Sequence, residues 1–118
     1  MCLNYVVKHK FKTKVVKGWK IVEEIDGGLY SYYKHFGIVK GTNKLQGKDF
    51  LIEDTYPTGF HIYIDDPMLR NTVPVTFKAV DVRCVGDDFF GLTAVVKAYK
   101  IKRKDYDNAV LELSNSHL

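Results

Sequence analysis

Two long runs of strand-forming residues in the last third of the chain constrain its fold more than any other feature. Val75–Val85 alternates between two sets of side chains, and Leu92–Ile101 is rich in valine, alanine and threonine. Alternation with a period of two is typical of a β-strand with two different faces. The intervening Gly86-Asp87-Asp88 supplies turn residues. The sequence therefore predicts an antiparallel hairpin with a short loop.

A second hairpin is predicted nearer the amino terminus. Asp26-Gly27-Gly28 is a turn sequence, and the strands on either side are expected at Trp19–Ile25 and Leu29–Tyr33. Phe36–Lys40 is expected to add a short third strand. The next eight residues, Gly41–Lys48, are polar and contain two glycines, so we expect a loop there.

The segment Tyr56–Asp65 begins with turn residues and continues as a strand with strict alternation. One face of this strand is expected to carry Phe60, Ile62 and Ile64. The other face is expected to carry His61, Tyr63 and Asp65. The second face has two interpretations, a polar site or a solvated sheet surface. Gly59, just before the strand, is expected to allow a turn or a close backbone approach.

A short helix is predicted directly after this strand. Asp66 is a suitable N-cap and Pro67 suits the first helical position, whereas Pro74 limits the helix to about one or two turns. The predicted fold is thus α+β and mostly β: one antiparallel sheet built of hairpins, with a short helix after the Gly-Phe-His strand.

The chain length of 118 residues predicts a single domain over residues 1–118. Within it, residues 1–17 are expected to form a basic amino-terminal arm or edge strand, and residues 103–118 a weakly ordered tail. The hydrophobic fraction of 46% is typical of a folded chain. No apolar run approaches the roughly 18 residues of a membrane span, and no secretory leader is recognised, so we expect no membrane association.

Charge is distributed unevenly along the chain. Residues 1–48 contain ten lysines and three acids, a net charge of +7, whereas residues 49–95 carry −5 and residues 96–118 carry +2. This distribution predicts a dipolar surface. Lysine outnumbers arginine fifteen to three, which favours attraction to the phosphate backbone of a nucleic acid over specific recognition of its bases.

The strongest basic feature is a lysine at every second position from Lys8 to Lys14. In an extended chain these side chains line one face, where they either bind a partner or protect a sheet edge from aggregation. Tyr5 and Phe11 lie among or beside them, and further aromatic residues follow. The predicted partner-binding residues are Lys8, Lys10, Lys12, Lys14, Lys17, Trp19, Lys20, Tyr30, Tyr32 and Tyr33.

Catalytic candidates are few. His61 with Tyr63 has the residue types of a proton shuttle, but the same residues suit a hydrogen-bonded sheet face. Cys2 would become an amino-terminal nucleophile if Met1 were removed, or it is an inert thiol. Cys2 and Cys84 are expected to be reduced. The scattered histidines and cysteines predict no metal site, and no motif predicts a cofactor.

Several short elements resemble a family of small, largely uncharacterised proteins of bacteriophages and other mobile elements. They are Met1-Cys2, Gly41-Thr42-Asn43, the Tyr-x-x-Gly-Phe-His-x-Tyr element at 56–63, Phe77–Val85 and Thr93–Lys100. The resemblance implies phage origin and a role during infection. It implies no catalytic residues.

The preferred hypothesis is a phage accessory protein that binds and inhibits a host defence component, as an anti-CRISPR protein does, without catalysis. Its partner would be a host protein or ribonucleoprotein in the host cytoplasm. The alternatives are a small nucleic-acid- or nucleotide-binding protein, or a small enzyme that uses His61 and Tyr63 with Cys2. Catalysis is the less favoured reading.

Overall fold

The computed structural model describes residues 5–32, 36–45, 52–53, 56–57, 59–88 and 90–115. These residues form strands, a single 3-10 turn at Ala79–Asp81 and a long helix. The elements are β1 (Tyr5–Val7), β2 (Val15–Ile25), β3 (Gly28–Ser31), β4 (Gly37–Ile38), β5 (Gly41–Lys44), β6 (Ile52–Glu53), β7 (Tyr56–Pro57), β8 (Phe60–Tyr63), β9 (Thr72–Lys78), β10 (Val82–Asp88), β11 (Gly91–Val96), β12 (Ala98–Ile101) and α1 (Arg103–Asn115).

One antiparallel sheet contains all the strands except β6 and β7, which pair with each other. Its order is β1-β10-β11-β8-β2-β9-β12-β5, and β3 and β4 extend it from β2. β9 continues into β10 through the 3-10 turn, and β11 continues into β12 through Lys97. These two bent strands pair with each other along both halves, β10 with β11 and β9 with β12. The strands β8 and β2 also connect β11 to β9, so the order of paired strands is closed. The predicted α+β, mostly β fold with one antiparallel sheet is confirmed.

Both predicted hairpins are present. In the first, Asp26 and Gly27 have φ values of 49° and 83°, so both central turn residues are left-handed, as a two-residue hairpin loop requires. In the second, β9–β10 pairs with β11–β12. Its turn was misplaced, because β10 continues through Asp88 and β11 begins at Gly91. Polar turn-forming residues are tolerated in β10 because backbone pairing with β11 fixes them.

The core lies between one face of the sheet and α1. It includes Val22, Ile62 and Val73 from the strands. The helix contributes Tyr106, Ala109 and Leu113, whose spacing of three and four places them on one helical face. No helix in the described ranges is long and apolar enough to cross a membrane.

The helix begins where the sequence predicted a weakly ordered tail. A buried hydrogen bond fixes its first turns, since the Leu29 backbone N–H donates to the Tyr106 hydroxyl at 3.0 Å. Lys40 adds an ion pair with Asp107 at 2.7 Å. These partners are more than 60 residues away in sequence, so local composition could not identify them.

The short helix predicted after the Gly-Phe-His strand is wrong. Residues 64–70 contain bends, irregular backbone and the start of a turn, and no helix. The Asp66 carboxylate does accept the Met68 backbone N–H at 2.9 Å, as a cap would. Met68 then has a φ of 57°, which is left-handed and ends any helical continuation. Pro74 lies inside β9 rather than ending a helix.

The loop predicted at Gly41–Lys48 is also partly wrong, because Gly41–Lys44 is β5 at one end of the sheet. Its backbone pairs with β12, and this pairing does not depend on apolar side chains. The buried Asn43 amide exchanges two hydrogen bonds with the backbone of Val39, at 2.9 and 3.0 Å. Residues 46–48 lie outside the described residues.

Two glycines permit close contacts around β8. A Cβ on Gly59 would lie 2.7 Å from Val95 Cγ1 and 2.8 Å from the Val96 carbonyl oxygen. A Cβ on Gly18 would lie 2.6 Å from Ile62 Cγ2 and 2.8 Å from the backbone oxygen of Tyr63. The predicted role of Gly59 in close backbone approach is confirmed.

Candidate basic interface

The lysines at positions 8–14 do not lie on a paired strand, which was one of the two forms predicted for residues 1–17, an arm or an edge strand. β1 ends at Val7, and residues 8–14 connect it to β2 without strand pairing. We call residues 8–14 the basic segment. Every lysine in it is exposed, and these residues are Lys8, Lys10, Lys12 and Lys14.

The basic segment is fixed to the body of the protein at its middle and at its end. Phe11 packs against the core ring of Phe77, with ring centroids 5.8 Å apart. The ring of His9 contacts Phe11 at 4.7 Å. The carbonyl oxygen of Lys14 accepts the Ala79 backbone N–H at 2.9 Å. The lysines are therefore presented on a positioned connection.

Strand register brings further lysines onto one sheet face. Lys17 lies opposite Thr76, which lies opposite Lys100, which in turn lies opposite Thr42. Directly paired residues of antiparallel strands share a face, as do residues two apart on one strand. Lys78 lies two residues after Thr76 on β9, and Lys44 lies two residues after Thr42 on β5, so both belong to the same face. We call this set the basic face: Lys17, Lys44, Lys78 and Lys100.

All four lysines of the basic face are exposed, and within the described part of the chain none forms an ion pair. Lys40 and Lys97, by contrast, have acidic partners at 2.7 and 3.9 Å. Neighbouring strands are about 4.8 Å apart, so Lys17 and Lys100 are separated at the backbone by about 10 Å. This is comparable to the Debye length of about 8 Å, so their fields overlap. The face attracts anions.

Sequence reasoning missed three of the four residues of the basic face. Only Lys17 was predicted to bind a partner, because Lys44, Lys78 and Lys100 are distant from it in sequence. The sequence itself showed only a lysine in each of three later segments, Lys44, Lys78 and Lys100. Without the register of β5, β9 and β12 that signal does not place them together.

The predicted aromatic residues are in different places. Trp19 is two residues from Lys17 and opposite Pro74, so it shares the outer face with the lysines. Tyr30 is half-buried on β3 and lies opposite Glu23 rather than among the lysines. Tyr32 is exposed after the end of β3. Tyr33 lies outside the described residues.

Lys20 is not on this surface. It lies opposite Val73, on the core side of β2, and is only 8% exposed. Its Nζ donates to the His61 carbonyl oxygen at 3.4 Å. Burial lowers the pKa of Lys20 from 10.5 to about 8. The predicted contact between Lys20 and a partner is therefore incompatible with its burial.

His61 and Tyr63 share a face, as predicted, but that face is covered rather than solvated. Tyr63 is 1% exposed and its hydroxyl donates to Asp88 Oδ2 at 2.5 Å. The other oxygen of Asp88 accepts the Phe90 backbone N–H at 2.7 Å. Asp65, the predicted acidic neighbour, is exposed beyond the end of β8. The carboxylate partner comes from β10, which alternation within one strand does not identify.

The protonation of these buried groups limits their chemistry. Burial, followed by the nearby charge of Lys20, lowers the pKa of His61 to about 4, so the ring is neutral near neutral pH. Burial and the Asp88 hydrogen bond raise the pKa of Tyr63 above its usual value. The resulting pair is a neutral imidazole and a protonated phenol whose proton is already donated to Asp88. In these protonation states both side chains can stabilise the sheet without taking part in catalysis.

The thiols and metal ligands give little further support for catalysis. Burial raises the pKa of the Cys84 thiol, which disfavours the reactive thiolate. Cys2 lies outside the described residues. Within the ranges that the structure describes, no group of three or more histidine, cysteine, aspartate or glutamate residues is arranged to hold a metal ion.

No protein-family model, curated protein or solved structure matches the chain. The resemblance to small phage proteins therefore stays a prediction from the sequence motifs. The geometry of the basic segment and the basic face is the firmest guide to function.

Proposed function

We propose that this protein is a non-catalytic binding protein that uses the basic segment and the basic face to engage an acidic surface of a host protein or ribonucleoprotein. The motif resemblance supports the choice of partner, a component of host defence that the protein blocks during infection. Binding to the acidic surface would exclude the partner's own ligand.

The observation that carries this proposal is the arrangement of eight exposed lysines. Four are on the basic segment and four on the basic face. Strand register brings the end of the basic segment beside the basic face, because Val15, directly after the segment, lies opposite Lys78. Unpaired lysines close together repel one another in the free protein, and an acidic partner relieves that repulsion.

Preorganisation also supports binding. A flexible arm loses conformational freedom when it binds, which weakens the complex. Here Phe11 and the Lys14 carbonyl already fix the path of the basic segment. The basic face belongs to paired strands, so its backbone loses little further freedom on binding. Only the lysine side chains need to become ordered.

The test is affinity capture from a host lysate that has been treated with nuclease, with the full chain as bait. The test variant replaces Lys10, Lys12 and Lys14 with glutamine. We expect the wild type to capture a host component and the variant to lose most of it, because attraction between charges that approach on binding contributes to association.

The matched control replaces Arg70, Arg103 and Lys104 with glutamine. These residues are also exposed and belong to neither named surface, and their replacement lowers the net charge by the same amount. Capture by this control should be unchanged. Equal losses in both variants would reduce the effect to net charge and contradict the proposed surface. Capture of nucleic acid without an associated protein from an untreated lysate, and of nothing from the nuclease-treated lysate, would favour direct nucleic-acid binding instead.

A further inference from the structure

A groove opens where β1 and β10 separate. The two strands pair from Tyr5 opposite Asp87 to Val7 opposite Val85, and the pairing ends there. The chain then leaves the sheet at Lys8, while β10 extends back to Val82. The wedge between them has a volume of about 390 Å³.

Apolar side chains form part of the groove lining on both sides. Val7 and Phe11 contribute from the departing chain, and Val82 and Val85 contribute from β10. The Phe11 ring is held against Phe77, so this wall is fixed by the core. The His9 ring packs against Phe11 and extends the aromatic wall. Aromatic and aliphatic walls of this kind suit a flat ring that stacks or inserts.

Three basic side chains line the same groove. Lys8 and His9 come from the departing chain, and Arg83 comes from β10. Arg83 lies where the pairing between β10 and β11 shifts register, between Val82 and Cys84. A bulge of this type alters the direction of a side chain relative to a regular strand. Basic groups therefore approach the groove from both sides.

We propose that this groove binds a nucleoside phosphate, with the base against the apolar and aromatic walls and the phosphate between Lys8 and Arg83. Arginine recognises phosphate with paired hydrogen bonds, and a phosphate carries more charge than one carboxylate. The volume is within the range of small-ligand sites, about 300–1,000 Å³.

An acidic peptide fits this groove less well. An extended peptide gains affinity by pairing with a free sheet edge over several residues. Beyond Val85, only the three residues Val82–Cys84 of β10 remain without a partner in β1. This edge is short, and β1 itself limits its extension. The nucleotide proposal does not depend on the basic face binding a protein.

The same chemistry is offered by a free mononucleotide and by the terminal nucleotide of a single strand. The experiment uses the full chain labelled with ¹⁵N and follows backbone amide shifts during titration at low ionic strength. The probes are ADP, adenosine, inorganic phosphate and a short 5′-phosphorylated oligothymidylate. ADP is expected to shift the amides of Val7–Phe11 and Val82–Val85, and not those of α1.

Two variants test the basic side chains. Arg83→Gln and Lys8→Gln should each weaken ADP binding about tenfold, as expected for the loss of a charge-assisted contact. The control Lys104→Gln removes an exposed lysine of α1, which belongs neither to the groove nor to the basic segment or the basic face, and it should change affinity less than twofold. Lys8→Gln is a surface change, so it keeps the test valid if Arg83→Gln unfolds the protein.

The relative affinities of the probes distinguish a free mononucleotide from the terminal nucleotide of a single strand. Tighter binding of ADP than of either adenosine or phosphate alone supports a nucleotide site, and a further gain with the oligonucleotide assigns it to a strand end. The proposal is overturned if neither ADP nor the oligonucleotide shifts the groove amides, if the shifts occur only elsewhere in the protein, or if Lys104→Gln weakens binding as much as Lys8→Gln. An acidic peptide that shifts the groove amides when ADP does not would also overturn it.

Discussion

Replacement of Lys20 by methionine is expected to make the protein more stable at neutral pH. Lys20 is buried on the core side of β2, and its Nζ donates a long hydrogen bond to the His61 carbonyl oxygen, at 3.4 Å. A charged ammonium in this position loses most of its hydration. Methionine has a similar length and an apolar, adaptable side chain, so Lys20→Met keeps the packing and removes the charge.

The magnitude follows from the pKa. Lys20 has a pKa of about 8 in the folded protein, against an ordinary value of 10.5. Each unit of difference corresponds to 1.36 kcal/mol, so the buried charge costs about 3 kcal/mol at a pH below both values. Between about pH 8 and pH 10.5 the unfolded chain binds the proton and the folded protein releases it. Stability therefore rises with pH through this interval.

The assay is urea unfolding of the wild type and Lys20→Met, at neutral pH and at about pH 10.5. We expect the variant to be more stable by about 2–3 kcal/mol at neutral pH, with the difference nearly absent at the higher pH. The comparison between the two proteins cancels the titration of other groups. Lys17→Met, on the exposed face of the same strand, is the control and should show no such pH-dependent difference.

Two results would refute this reasoning. The first is a Lys20→Met protein that is less stable than the wild type at neutral pH. The second is a gain in stability that stays constant between neutral pH and about pH 10.5, since a constant gain would come from packing rather than from the buried charge.

Three further predictions concern the strands around β8. The wild type should lose stability as pH falls from 6.5 to about 4, because the unfolded chain protonates His61 before the folded protein does, and His61→Gln should lose less. Tyr63→Phe should cost about 1–3 kcal/mol in chemical unfolding, since it removes the buried bond to Asp88. Gly18→Ala should cost about 1–3 kcal/mol, whereas Gly37→Ala, whose added Cβ would have only ordinary contacts, should cost less than about 1 kcal/mol in the same assay.

Each of these has a clear contrary result. The acid effect fails if wild type and His61→Gln lose stability in parallel below pH 6.5. An unchanged unfolding midpoint for Tyr63→Phe would mean that its hydroxyl contributes nothing. Equal effects of Gly18→Ala and Gly37→Ala would contradict the close approach of β2 and β8.

Local signals in the sequence were enough to predict both hairpins, the strand at Phe60–Tyr63 and one turn. Asp26-Gly27 is a turn because both residues tolerate left-handed backbone, and the structure has them there. The alternation from Phe60 to Tyr63 correctly separated two faces. It did not reveal that both are covered, because cover comes from other parts of the chain.

Features that depend on distant partners were not predictable. β5 consists of Gly-Thr-Asn-Lys, and only pairing with β12 makes it a strand. The Asp66-Pro67 signal was overridden by the left-handed Met68. Asp88 as the partner of Tyr63, and the grouping of Lys44, Lys78 and Lys100 with Lys17, both depend on register between strands.

The most direct test of the basic interface is the affinity of the purified host component for a variant in which Lys17, Lys78 and Lys100 are glutamine. If each exposed charge contributes roughly 0.5 kcal/mol, the Kd should rise about tenfold, and the rise should shrink at high salt. The variant with glutamine at Arg70, Arg103 and Lys104 should bind within about twofold of the wild type. Equal Kd values for wild type and the Lys17, Lys78, Lys100 variant would contradict the account, because strand register would then have assembled a face that touches no partner.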